Sequence, residues 1–513
     1  MKKTKLLITV LAIILLSGIV FASEGTPEDI GLKPSPAHLK WGDRDTEVYT
    51  GDLNGASIAT DFSTNNLYTV VNANVNQDSL ILLKSENKGE DWSVLNVRPI
   101  NDIYNVFNPQ IIVTDAGRIA IFARYEIIST SEPRLYVYEM EDSSGTIINE
   151  NWEQIDDPDY VDSIYSYDVD YADGYYYVTY LGVDTSNAFP DSNYVMALTC
   201  HEDSSSWPAG QDIFWNPQSM EAPAVGAGAN GNVYVAFIEE RIASENQIRV
   251  RKSYDYGATW EGSQQVSNVT STTEISNLDV DASHSSSYQN VWFTVQYDNA
   301  STFGYYYSDD SCATTQYGGV IDPALSGWTS SRGTIDVHPI SGYATVAFKY
   351  DSSTSHDVYF SWARNSDPNN FYAPEKINQY DATNIFRPQA ASVPTYSAVI
   401  YAGWGPQNLY FDYYGSTLGI DSDNDNVNAT GFIMPARTVF SDNIEFSLML
   451  NTSSSVDIAL FDCSGRKVLS RTKHLSEGSS TVNIRTSELP SGIYLYRAVS
   501  GEKSANGRLI KLK

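Results

Sequence analysis

Cysteine is nearly missing from this chain: three in 513 residues, Cys200, Cys312 and Cys463. An odd, sparse set builds no disulfide framework, and without a Cys-x-x-Cys or Cys/His spacing it builds no zinc site. Histidine is equally scarce, six in all. Positive charge is also short, with 32 Lys and Arg against 63 Asp and Glu, a net charge of −31. Such a surface repels phosphate backbones and anionic membranes, which argues against nucleic-acid binding. Beyond residue 22 no apolar run is long enough to span a bilayer, so no membrane insertion of the mature chain is expected. Few segments carry apolar residues at helical spacing. The fold must rest on its own core.

What is abundant points one way. Hydrophobic residues make up 42%, and the 36 Tyr and 33 Gly sit among many Ser, Thr and Asn, a composition of strands and turns. The first residues are set apart. Lys2, Lys3 and Lys5 precede an apolar run from Leu6 to Phe21, and Val20-Phe21-Ala22 offers a small-residue cleavage site before Ser23. Residues 1–22 read as a secretory signal peptide.

The body repeats itself. NLYTVV from Asn66, GRIAIFA from Gly117, GYYYVTY from Gly174, GNVYVAF from Gly231, NVWFTVQ from Asn290, GYATVAF from Gly342 and YSAVIYA from Tyr396 are each a β run, most opening on a turn residue. Their starts are 51 to 59 residues apart. A shorter strand precedes each run, and a third and fourth follow most of them. About four strands in roughly 55 residues is the size of a propeller blade, and stacked blades must close into a ring. The expected fold is all-β: a seven-bladed β-propeller over residues 38–415, with six blades as the alternative. Residues 45–52, an orphan strand, would complete the last blade and remove an open edge.

SYDYGATW, from Ser253 to Trp260, joins the third and fourth strands of the fourth unit. SENKGEDW, from Ser85 to Trp92, holds the same place in the first. Ser253, Asp255, Gly257 and Trp260 form one set; Ser85, Asn87, Gly89 and Trp92 form the other. SDDSCATT at Ser308 is a degenerate copy. This pattern resembles the Asp boxes, or BNR repeats, of the sialidase-like propellers. There the boxes are structural turns, so the resemblance implies a fold and a structural role for these residues.

It also implies where to look for function. In that family the active rim carries the starts of first strands and the ends of second strands. Arg124, Glu126, Glu239, Arg241 and Arg387 map to this rim here. Sialidases clamp a carboxylate with three Arg, and an Arg fork matches a carboxylate bidentately. Inter-blade ion pairing, ligand contact and catalysis all remain open for these residues. The family's Phe/Tyr-Arg-Ile-Pro motif is absent: FRPQ at Phe386 lacks the Ile and lies in the last unit. No nucleophilic Tyr or acid/base Asp is assignable, so the catalytic set stays unknown. No cofactor or structural metal is expected. The acidic DSDNDN at 421–426 starts like a Ca²⁺ loop but lacks its Gly and closing Glu, which leaves at most a weak Ca²⁺ contact.

After a linker at 416–440 the composition changes. Residues 441–513 read as a small β-sandwich. Asp462-x-x-Gly465-Arg466-x-Val468, then Leu489-x-x-Gly492-Ile493-Tyr494, then a Lys-ended last strand resemble the C-terminal sorting domains of type IX secretion substrates. The resemblance implies engagement of a secretion translocon and release or surface attachment; an accessory carbohydrate-binding sandwich is the alternative. The expected function is a secreted or cell-surface propeller that binds a glycan or a surface protein. A sialidase-like glycosidase and an adhesion component are the alternatives.

Overall fold

The computed structural model describes residues 45–414 and 433–511, apart from short stretches within both. Contacts divide the chain into two compact units, one spanning Pro34–Leu418 and one that includes Gly419–Lys513. The signal-peptide segment, the acidic run at 421–426 and Cys463 lie outside the described residues.

The larger unit is the seven-bladed propeller. Six antiparallel sheets follow chain order, with first strands Leu53–Asp61, Tyr104–Val113, Ser163–Ala172, Met220–Ala227, Ile275–Ala282 and Thr329–Val337. The seventh blade joins Gln389–Val393, Tyr396–Ala402 and Leu409–Tyr414 to the N-terminal strand Thr46–Tyr49, which pairs antiparallel with Leu409–Tyr414. Ring closure therefore uses both ends of the propeller sequence. A polar clasp supports it: Asp45, buried, accepts the Gln379 N–H at 2.6 Å and the Tyr401 hydroxyl at 2.5 Å. In the sixth blade two short strands, Asp367–Phe371 and Glu375–Lys376, both pair with the third strand His356–Arg364.

Second strands read as near-continuous apolar runs because both their faces are covered by neighbouring blades. Val291, Trp292, Phe293 and Val295 are wholly buried, and alternate residues feed the cores on either side. Outer strands are polar and exposed, as Ile147–Gln154 shows.

The hairpins from Ser85, Ser253 and Ser308 share one hydrogen-bonded turn. In the fourth blade the Gly257 N–H donates to Ser253 Oγ at 2.9 Å, and the Thr259 N–H and hydroxyl donate to Asp255 at 2.8 and 2.6 Å. Asn87 does the same work in the first blade, accepting the Asp91 N–H at 2.9 Å. The copy at Ser308 is less degenerate than its sequence. Cys312 donates its N–H to Ser308 Oγ at 2.9 Å, and Thr314 donates twice to Asp310, each at 2.8 Å. Cys312 takes the left-handed φ of 60° where the other boxes place Gly89 and Gly257, at 84° and 78°. A side chain is tolerated at that one position. A Cβ at Gly89 would stand 2.0 Å from the Phe411 ring of the seventh blade, and one at Gly257 2.2 Å from Thr199 Oγ1 of the third.

The smaller unit is a β-sandwich. A three-stranded sheet of Ile433–Pro435, Asn443–Leu450 and Gly478–Arg485 faces a five-stranded one built on Ser454–Asp462, Lys467–Leu475, Gly492–Ser500, Lys503–Lys511 and Val439–Phe440. Its core includes Ile444, Phe446, Ile458, Leu460, Tyr494 and Leu509.

Two outcomes test this architecture. Deleting residues 23–52 should expose the open edge of the seventh blade, and size-exclusion chromatography should show oligomers or an unfolded chain; a stable monomer would refute ring closure. Gly257→Ala should lower stability by about 2 kcal/mol or more in a thermal melt, since a left-handed φ is added to a close approach.

Candidate functional site: the axial channel and its mouth

Six of the seven first strands slip register near their start. The shifts fall at Leu53/Gly55, Phe107/Gln110, Ile164/Ser166, Glu221/Ala224, Ser276/Asp279 and Ser331/Gly333. A bulge re-aims the residues beside it. Here the bulges form a collar around one end of the channel, with Asn108 and Asn277 at left-handed φ of 48° and 51°. The ends of the antiparallel second strands lie beside the collar, so Phe107 sits opposite Arg124 and Met220 opposite Glu239.

Arg124 is half-buried. Its guanidinium lies 4.8 Å from the centre of the Phe107 ring and donates through Nη1 to the Tyr165 carbonyl of the next blade. Desolvation lowers its pKa, against the opposing charge of Glu126 nearby. Its Nε is buried without a hydrogen-bond partner. Tyr165 occupies the bulge itself, with its side chain 58% exposed. Tyr167 fastens the same seam through its hydroxyl, which donates to the Phe122 carbonyl at 2.9 Å and to the Asn108 carbonyl.

Arg387 enters from the seventh blade and donates to the Leu278 carbonyl of the fifth at 3.2 Å. Its charge also reaches Asp168 of the third blade and Asp279 of the fifth, easing their ionisation. One arginine thus spans the channel mouth. Glu239 is engaged differently: Asn216 and Gln247 donate to it at 2.8 and 2.6 Å, and Arg249 Nε lies 3.8 Å away. That is a brace between the third and fourth blades. The backbone of Arg241 lies in the second strand of the fourth blade, and its side chain is outside the described residues. Arg124, Arg241 and Arg387 belong to the second, fourth and seventh blades, so they are spread around the ring.

Below the mouth lies a set that the sequence reading missed. Asp168 and Asp170, Asp279 and Asp281, and Asp336 lie on first strands and act on one another's charge. Each also latches the next blade. Asp168 accepts the Val225 N–H at 2.9 Å, Asp170 the Ala227 N–H at 2.6 Å, Asp279 the Ile335 N–H at 3.0 Å and Asp281 the Val337 N–H at 2.6 Å. Asp336 accepts the Ser392 hydroxyl. A signal was available: Asp is disfavoured in strands, yet Asp-Val-Asp recurs at one repeat position, and alternation puts both carboxyls on one face.

Burial raises the pKa of all five, and neighbouring carboxylates push the same way on Asp168, Asp170, Asp281 and Asp336. Asp336 is raised to about 6. Farther down, desolvation pushes His284 and His338 to about 4, so both are neutral at neutral pH. Among the described residues, no group of three or more His, Cys, Asp or Glu is placed to hold a metal ion.

Comparison with known proteins bears mainly on the tail. Residues 435–512 match the family model described as a secretion system C-terminal sorting domain. The protein is exported by type IX secretion to the cell surface or the medium, and no helix among the described residues is long and apolar enough to cross a membrane. No curated protein matches the chain. Among solved structures, a protein of unknown function from Dyadobacter fermentans DSM 18053 aligns with TM-score 0.41 and 12% identity, over 74% of this chain and 97% of its own. The GH93 α-L-arabinofuranosidase of Fusarium graminearum aligns with TM-score 0.40 and 11% identity, over 72% and 97%. GH43B of the Bacteroides ovatus xyloglucan PUL aligns with TM-score 0.33 and 10% identity, over 91% of each chain. These likenesses carry no functional weight.

The channel carboxyls predict a pH dependence. A folded-state pKa raised above the unfolded value favours the protonated form, so the native state holds more protons and stability falls as pH rises toward the folded value. For Asp336 the window runs from about 4 to about 6. Asp336→Asn keeps an acceptor for Ser392 without the charge. It should raise stability at pH 8 by on the order of 1–2 kcal/mol and flatten that part of the profile, read from urea midpoints at several pH values. An unchanged profile would show that Asp336 is not the titrating group.

Proposed function

We propose that the exported propeller binds a glycan at the channel mouth and does not turn it over. The observation that carries this reading is Tyr165, an exposed aromatic face mounted on a bulge whose carbonyl is held by Arg124. A rigid aromatic plane beside a fixed cation suits a sugar: the ring's apolar face covers the tyrosine, and hydroxyl or carboxylate oxygens take guanidinium N–H groups. Arg387 supplies a second guanidinium across the mouth. The nearest carboxyls support binding over turnover. Asp168 and Asp279 each commit an oxygen to a neighbouring strand, as structural latches do.

Glycoside hydrolysis of the sialidase-like kind is the second reading. It is favoured by one feature, the raised pKa of Asp168 beside Asp279, because a carboxyl kept protonated can serve as a general acid. Turnover of fluorogenic glycosides, lost on Asp168→Asn in a folded variant, would establish it in place of simple binding.

Glycan-array binding of the mature chain tests the main reading. Tyr165→Ala should weaken binding by about 1–2 kcal/mol with little change in Tm, because the side chain is exposed. Arg387→Lys should cost roughly 1–3 kcal/mol for an anionic glycan, a point charge replacing a fork. Binding untouched by both changes would remove the mouth as the site, and no glycan binding by the wild type would favour a protein ligand.

Sorting is tested separately. A chain ending at residue 434 should fold its propeller and stay in the periplasm. Its normal appearance in the medium would show that the matched segment is dispensable for export.

A further inference from the structure

The opposite rim, where the Asp boxes lie, carries a cleft between the fourth and fifth blades. It has a volume of about 60 Å³ and lies between the segments that follow the two first strands, 228–232 on one side and 283–285 with 288–290 on the other. Its frame is braced. Gly228 donates to the Asn232 carbonyl at 2.8 Å, Ser283 to the Asn290 carbonyl at 2.9 Å, and Ala229 crosses to the Ser283 carbonyl at 3.3 Å. Asn230 is held at φ 62° by its N–H bond to Asp173 Oδ2, at 2.6 Å. Tyr234 contributes a buried wall.

The lining has one chemical character. It contains no carboxylate, imidazole, ammonium or guanidinium, only Tyr, amides, hydroxyls and small residues. Asn290 is spent on Asn365. Asn230 and Gln289 are exposed and Asn232 is half-buried, and none of the three side-chain amides is hydrogen-bonded to another described residue, so these carboxamides of the lining keep donors and acceptors for a ligand. Tyr288 stands at the edge, 37% exposed. Beside the cleft, Tyr256, 38% exposed, packs its ring against the backbone of Gly231, where a Cβ would come within 2.7 Å.

Size narrows the ligand. By that measure one water needs only about 10–15 Å³, so the cleft holds a few waters or one short polar arm. A whole sugar ring does not enter, but its hydroxymethyl group does, with the ring left against an exposed tyrosine. Charge narrows it further: with no cation in the lining and a net charge of −31 on the chain, an anionic sugar is disfavoured. We infer that this cleft is a second carbohydrate subsite, distinct from the channel mouth, that takes the hydroxymethyl arm of an uncharged hexose residue between the free amides of Asn230, Asn232 and Gln289.

Saturation-transfer NMR on the full mature chain tests this with methyl glucoside and methyl galactoside as probes. Methyl glucuronide is the counter-probe, carrying a carboxylate in place of the hydroxymethyl. A neutral hexoside should receive its strongest saturation at the C6 protons, and the glucuronide should bind at least tenfold more weakly. Asn232→Leu should abolish the C6 signal at unchanged Tm, with Gln289→Ala as the substitute variant if the first does not fold. Tyr288→Ala should weaken the signal, and Tyr165→Ala, at the channel mouth, should leave it intact. No signal from either hexoside, an equal response to the glucuronide, or a signal that survives the cleft variants would overturn the proposal. A signal lost only with Tyr165→Ala would overturn it while supporting the mouth.

Discussion

The propeller depends on one kind of contact: an inner-strand side chain that accepts a hydrogen bond from the next blade. Asp168, Asp170, Asp279 and Asp281 each take a backbone N–H 56 or 57 residues farther along. Ser57 and Gln110 do the same between the first three blades, toward Ile111 and Val169. First strands lie at the crowded centre of the ring, where each sheet has an edge to satisfy. A side chain that reaches across satisfies the neighbour's backbone and sets the blade-to-blade offset in one contact.

That solution gathers carboxyls near the axis. Their mutual repulsion and desolvation are opposed by the N–H donors and by Arg387 at the mouth. Where the fourth blade offers no carboxyl it has Gly226, at which a Cβ would come 2.7 Å from the backbone of Asp281. The collar of bulges and the two arginines tied to carbonyls of other blades then make the mouth a stiff surface. Stiffness is what a binding rim built on strands can offer that a loop cannot.

Much of the architecture was legible in the chain. The repeated apolar runs gave the blades and their number, and the orphan strand near residue 46 gave the closure, because both follow from local pattern and the need to remove an edge. The hairpin turns from Ser85 and Ser253 were legible because Gly and Trp are kept there. The copy at Ser308 was harder to read, since Cys312 does by tertiary packing what glycine does by intrinsic freedom. Strand polarity suggested that Arg124 and Arg387 share a rim, and each is tied to a carbonyl of another blade. Their partners could not be read, because the Tyr165 and Leu278 carbonyls are 41 and 109 residues distant.

The sequence by itself determined the class of fold, the repeat and the sorting tail, properties carried by periodicity and by motifs within a few residues. Tertiary structure alone decided which polar side chains brace and which face outward. Glu239 became a brace because Asn216 and Gln247 converge on it from two strands. Asp168 and Asp279 became latches because the ring brings the next blade's N–H within reach. Asn230, Asn232 and Gln289 line one cleft because the loops that carry them meet at a blade seam. A residue's chemistry is written in its side chain, but its task depends on which distant backbone arrives beside it.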